Sequence, residues 1–211
     1  MCTPVHRLSA MSDPSFQVDP STSVRSARRD FFAHAGFGTD GGYSEPWSEA
    51  DFGAVAYRVP NPSARADALR VHDLHHVLTG YGTDWRGEAE ISAWELGSGG
   101  AGPVGYAWII ALWGLFTGLL VTPGRVFRAF VRGRGSRNLY ATGVDEALLE
   151  LPVGRLARRL AIQPNRPTAD DPWAPGTPRR LRLGDGLAFG LWAVAAVASR
   201  SRVKIREWRI S

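Results

Sequence analysis

SARADALRVHDLHHVLTGYGTDWRGEAEISAWELG, residues 63–97, decides how this chain is read. Residues 64–79 contain neither Gly nor Pro, and Pro60 and Pro62 end whatever precedes them. Ser63 is a good N-cap, Asp67 suits the positive end of a helix dipole, and Gly80 supplies a C-terminal stop. On a helical wheel Val71, Leu74 and Leu78 form an apolar stripe, with His72, Asp73 and His76 roughly opposite. Gly80-Tyr81-Gly82-Thr83 reads as a tight turn. Thr83 or Asp84 then caps a second helix that runs to about Leu96 and ends at Gly97, with Gly87 weakening its first turn. At ~1.5 Å rise per residue, His76 and Glu88 each lie about 6 Å from the turn. An antiparallel pair with axes ~8–10 Å apart places them opposite each other, with room for an ion between.

The chemistry follows from the spacing. His72 and His76 stand at i and i+4, so they project from one helix face one turn apart. Asp73 lies about 100° around from His72, and Glu88 returns on the second helix. His72, Asp73, His76 and Glu88 together offer two imidazoles and two carboxylates, a set suited to zinc first, and to iron or manganese as alternatives. His75 flanks this set and reads as a surface residue. Glu90 and Glu95 read as solvated helix charges. Of the two, Glu95, seven residues after Glu88 on nearly the same face, is the better supporting group and the candidate catalytic acid. His6 and His34 lie in polar stretches and read as uninvolved. There is no H-E-x-x-H, which excludes the zinc-protease pattern. With five histidines the chain has too few for the histidine boxes of membrane desaturases, although His72-x-x-His75-His76 matches one literally.

The segment VHDLHHVLTGYGTDWRGE, residues 71–88, resembles the signature of the COQ-four family of ubiquinone-biosynthesis proteins. That signature is H-D-x-x-H, eleven residues, then E, and it falls here on His72, Asp73, His76 and Glu88 without a gap. The resemblance covers roughly residues 70–94. It implies a mostly helical fold with one divalent metal, usually zinc. It implies a metal-dependent carbon–carbon lyase that removes the carboxyl at the first ring carbon of a polyprenylated hydroxybenzoate, with hydroxylation there as a coupled step. It further implies a polyprenylated aromatic lipid as substrate and association with a membrane surface, with other quinone-biosynthesis enzymes and with a second copy as a homodimer. Two alternatives stand beside it. One is a non-catalytic lipid-binding scaffold with a structural metal. The other is a metal phosphohydrolase of the HD superfamily, in which His34 and Asp145 would complete the ligand set.

The rest of the chain fits an all-α single domain. Residues 1–28 are rich in Ser, Pro and Arg, lack an apolar run and read as a disordered segment, not a secretory signal. Residues 29–211 read as the helical domain. Residues 36–49 read as a loop and residues 170–180, with three prolines, as an extended connection. Cys2 is the only cysteine, so no intramolecular disulfide forms and a reducing, cytoplasmic setting is expected. From residue 96 to residue 124 there is no charged side chain. The 18-residue core of that run, residues 104–121, predicts one long apolar helix with a G-x-x-x-G pair, Gly114 and Gly118. Three readings remain open for it: a buried central helix, a transmembrane span, or a helix that lines a lipid-tail pocket or dips into a membrane surface. A second uncharged run, residues 186–199, suits a core or interface. The net charge is +5, and arginines cluster at residues 125–137, 179–182 and 200–209. They flank apolar runs without any nucleic-acid motif, so anionic lipid at the inner (cytoplasmic) membrane is the expected partner and nucleic acid is not.

Overall fold

The computed structural model describes residues 16–52 and 55–163, without the side chains of residues 48–57. Cys2, His6, the proline-rich connection, the second uncharged run and the two C-terminal arginine clusters lie outside the described residues. The fold is mostly helical. In chain order the elements are α1 (Val24–Ala35), β1 (Trp47–Phe52), β2 (Val55–Pro60), α2 (Ser63–Thr79), α3 (Trp85–Gly97), α4 (Gly105–Val121), α5 (Pro123–Arg134), α6 (Glu146–Leu149) and α7 (Val153–Arg159). The helical expectation holds, and the strands among the described residues form one antiparallel hairpin, in which Trp47 pairs with Pro60 and Phe52 with Val55.

The decisive stretch folds as two helices joined by a short turn. Pro62, not Ser63, occupies the N-cap of α2, and no side chain bonds there. Gly80 ends α2 with φ of 73°, a left-handed conformation that glycine adopts without strain, and its N–H donates to the His76 carbonyl. Asp84 caps α3 by accepting from the Gly87 N–H at 2.8 Å. Gly87 is not a weakness at this position. A Cβ there would lie 2.0 Å from the Gly82 carbonyl oxygen, so the turn folds back on α3 only because residue 87 has no side chain.

Packing divides into two main cores. One joins α1, α2 and α7 through Val24, Phe31, Leu74, Leu78 and Leu156. The other joins α3, α4 and α5 through Ile91, Trp94, Leu115, Val126 and Phe130. Small residues let the second group approach closely. A Cβ on Gly97 would meet the Phe130 carbonyl oxygen at 2.3 Å, and one on Gly133 would meet the Trp94 carbonyl oxygen at 2.3 Å. The Gly114/Gly118 pair serves the same purpose on α4: Gly114 abuts Ser92, and Gly118 abuts Ala89 and Val126.

The boundary expected at residue 28 also moves. Val24 is fully buried in α1, Phe16 and Val18 pack on the first core, and Val24 N–H donates to the Leu151 carbonyl. Residues 16–28 therefore belong to the folded domain.

The apolar helix α4 is 17 residues long. Among the described residues, no helix is long and apolar enough to cross a membrane. It is not a buried central helix either. Its inward side carries Ala107, Ala111, Gly114, Leu115 and Gly118, while Ile109, Leu112, Trp113, Phe116, Leu120 and Val121 are exposed.

Candidate metal centre

Helix α2 belongs to the first core and α3 to the second, so polar side chains exchanged between them occupy the seam. Near the turn, His76 meets Glu88. One turn back along α2, His72 meets both Glu88 and Glu95. His72 Nε2 lies 3.2 Å from His76 Nε2 and 3.2 Å from Glu88 Oε2, and His76 Nε2 lies 3.4 Å from Glu88 Oε1. Among the described residues these three form the group able to hold a metal ion, with their ligand atoms within 4.8 Å of one another. Both imidazoles are buried, whereas the Glu88 side chain is 41% exposed, so the group opens toward solvent on the Glu88 side.

Each imidazole is held from behind. His72 Nδ1–H donates to Glu95 Oε1 at 2.9 Å, and His76 Nδ1–H donates to the Tyr81 carbonyl at 3.1 Å. The Phe31 ring stacks on His76, 5.7 Å between centroids and 17° from parallel. Asp73, expected as a fourth ligand, stands apart from the group of three. Its Oδ2 accepts from the Tyr43 hydroxyl at 2.5 Å, and Arg70 lies over the Tyr43 ring at 4.9 Å. Burial raises the Asp73 pKa.

His75 and Glu95 differ most from their sequence reading. His75 is fully buried, not on the surface. Its Nδ1–H donates to Glu95 Oε1 at 2.7 Å and its Nε2 accepts the Leu139 N–H at 2.9 Å. Glu95 is likewise sealed from solvent, and the Tyr140 hydroxyl brings a third hydrogen bond to the same Oε1 at 3.0 Å. Burial acts to raise the Glu95 pKa, but His72 and His75 outweigh it and hold the carboxyl far below its ordinary range. Glu95 thus stands behind His72 as the supporting group expected from its face of α3, accepting hydrogen bonds from His72, His75 and Tyr140. Tyr140 and the segment around Asn138 carried no sequence signal. The Asn138 amide donates to the carbonyls of Glu95 and Gly100, at 3.1 and 2.8 Å, and so ties this segment to the end of α3.

Glu90 is not solvated, since it pairs with Arg125 at 2.7 Å. Arg132 is also engaged internally, donating to the Thr79 and Gln163 carbonyls at 2.9 Å and covering the Tyr81 ring at 4.9 Å. The phosphohydrolase pattern finds no support in the geometry. His34 packs near Phe16, Asp145 caps α6 through the Leu148 N–H, and neither joins the group of three.

Electrostatics in the seam are strongly coupled. Burial opposes protonation of His72, yet Glu95 and Glu88 overcome it and hold its pKa well above 6.5. For Glu88 burial also works against the charge, but His76 and His72 prevail and bring its pKa down to about 2. Burial lowers the pKa of His75. Two imidazole nitrogens and the Glu88 carboxylate thus converge, an arrangement that could hold a metal ion. No protein-family model, curated protein or solved structure matches the chain at a significant level.

Proposed function

We propose that this chain is a metal-dependent protein of quinone biosynthesis, in which His72, His76 and Glu88 hold one divalent ion, zinc first, with iron or manganese as alternatives. The observation that carries the metal is convergence. His72 Nε2 and His76 Nε2 lie 3.2 Å apart and face the two oxygens of one carboxylate, Glu88 Oε2 at 3.2 Å from His72 and Glu88 Oε1 at 3.4 Å from His76. One ligand atom from each residue lies within 4.8 Å of the others, a donor set suited to zinc. Three protein ligands with a solvent-facing side match the open form of a catalytic site better than a closed structural one, which favours an enzyme over a scaffold.

The reaction follows from the resemblance at His72, Asp73, His76 and Glu88. It is loss of the carboxyl from the first ring carbon of a polyprenylated hydroxybenzoate. A divalent ion held by His72, His76 and Glu88 would supply Lewis acidity to a carboxylate or phenolic oxygen, stabilising the charge that develops as carbon dioxide leaves and a proton from solvent takes its place on the ring carbon. The protein's own part is to hold two imidazoles rigidly, to keep Glu88 ionised and to wall the site with Phe31. Tyr43 and Asp73 border it. The exposed apolar face of α4 fits a substrate with a polyisoprenoid tail, because such an enzyme works at a bilayer surface. We assign it a peripheral position on the cytoplasmic face of the inner membrane, with other enzymes of the pathway and a second copy as candidate partners.

The test is genetic and chemical. Cells lacking the protein accumulate the carboxylated precursor, measured by mass spectrometry of lipid extracts, and Glu88→Ala does not restore quinone levels. Full restoration by Glu88→Ala overturns the reading.

A further inference from the structure

Three histidines fall within five positions, yet only two of them face the proposed ion. The difference lies in how one carboxylate is shared. Glu95 Oε1 accepts Nδ1–H from both His72 and His75, at 2.9 and 2.7 Å. The Nε2 of His75 is then taken by the Leu139 N–H, whereas the Nε2 of His72 points at His76 and Glu88. We infer that Glu95 is a positioning residue: it places the proton of His72 on Nδ1 and turns the ring so that the Nε2 lone pair faces the metal. This inference rests on the metal reading above.

The geometry supports it at three points. Glu95 is fully buried, so water does not compete for Oε1. The Tyr140 hydroxyl, at 3.0 Å, fixes the same oxygen from a third direction. Asn138 bonds the Glu95 carbonyl at 3.1 Å, so the segment carrying Leu139 and Tyr140 is fastened to the residue it helps to orient. A neutral imidazole has one donor nitrogen and one acceptor nitrogen, and the acceptor behind it decides which is which. A carboxylate behind a ligating imidazole also raises its basicity, and loss of such a partner typically weakens metal binding by about 10–100-fold.

The experiment is Co²⁺ titration of the chelator-treated full chain, wild type against Glu95→Gln, read by the visible ligand-field spectrum and by competition with Zn²⁺. Glutamine keeps the size and removes the charge. The expected result is unchanged stoichiometry with affinity about 10–100-fold weaker and an altered spectrum. Equal affinity and an identical spectrum in the folded variant, with only a lower melting temperature, would mean that Glu95 serves stability alone and would overturn the inference while leaving the metal reading intact. Failure of the wild type to bind Co²⁺ or Zn²⁺ overturns the metal reading and this inference with it. Should Glu95→Gln not fold, long-range ¹H–¹⁵N spectra of Zn²⁺-loaded wild type decide the matter. Nδ1 protonated in both His72 and His75, with the metal shift on His72 Nε2 only, supports the inference. Metal at His72 Nδ1, or a proton on its Nε2, overturns it.

Discussion

The seam between α2 and α3 and the outer face of α4 invert the usual rule in opposite directions. In the seam, the imidazoles and the Glu95 carboxylate are buried; on α4, Trp113, Phe116 and Leu120 are exposed. The seam offsets the cost of burial internally, because nearly every polar atom in it has a partner at hydrogen-bond distance. The outer face of α4 has no such compensation among the described residues. Each large apolar side chain left in water forgoes about 1.5–3 kcal/mol that burial would release. Both regions therefore sit off the stability optimum, and such places are where function concentrates. The seam is closed by its own hydrogen bonds, whereas the large side chains of the α4 face are left exposed.

Removing the two imidazoles breaks the first half of this comparison most completely. Wild-type protein purified without chelators is expected to carry about one divalent ion per chain. His72→Ala combined with His76→Ala is expected to carry none, as elemental analysis will show. Absence of metal from the wild type would leave the seam as a plain ion-pair cluster.

Two neighbouring residues on α4 sharpen the second half. Leu115 is 5% exposed against α3, while Phe116 is 57% exposed. Leu115→Glu buries an unpaired charge and is expected to cost about 4 kcal/mol or more, enough to unfold many domains. Phe116→Glu is expected to change stability by less than about 0.5 kcal/mol in denaturant melts, yet to weaken binding to anionic vesicles. Equal destabilisation by both would show that the outer face is covered within the chain. Among the arginines, Arg132→Gln is expected to reduce stability as well as vesicle binding, because its guanidinium holds the Thr79 carbonyl.

Small residues behind the seam provide an intermediate test. Gly97→Ala places a Cβ 2.3 Å from the Phe130 carbonyl and is expected to cost about 1–3 kcal/mol, measured by thermal or denaturant unfolding.

The smallest effect, and the most diagnostic, is in pH. In the metal-free protein the raised pKa of His72 contributes stability that is complete below 6.5 and is lost as pH rises through the folded value. The lowered pKa of Glu88 contributes stability present above 4.5 and lost as pH falls toward about 2. Stability from this pair is therefore greatest between 4.5 and 6.5. Metal binding runs the other way. The ion displaces the His72 proton, so affinity is expected to rise with pH, by up to about tenfold per unit until His72 is deprotonated. Affinity independent of pH above 6.5 would remove His72 from the ligand set.

Much of this arrangement is legible in residues 63–97 alone. An i, i+4 spacing dictates which face two imidazoles share, and Gly80 and Asp84 mark a helix end and a helix start through local backbone chemistry. Those are short-range properties, carried by the chain at every point where they act. The place of His75 is not of that kind. Its spacing sets it beside the pair, but its burial depends on Leu139, more than sixty residues away, which donates its N–H to the His75 ring. The same holds for the burial of Glu95: its spacing from Glu88 marks its face of the helix, but Tyr140 and two imidazoles close over it only in the tertiary structure. It holds also for α4, whose composition announces an apolar helix but not which side faces water. That was decided by close approach: Gly114 and Gly118 allow α3 within van der Waals distance, and the large side chains, with no room on that side, are left outside.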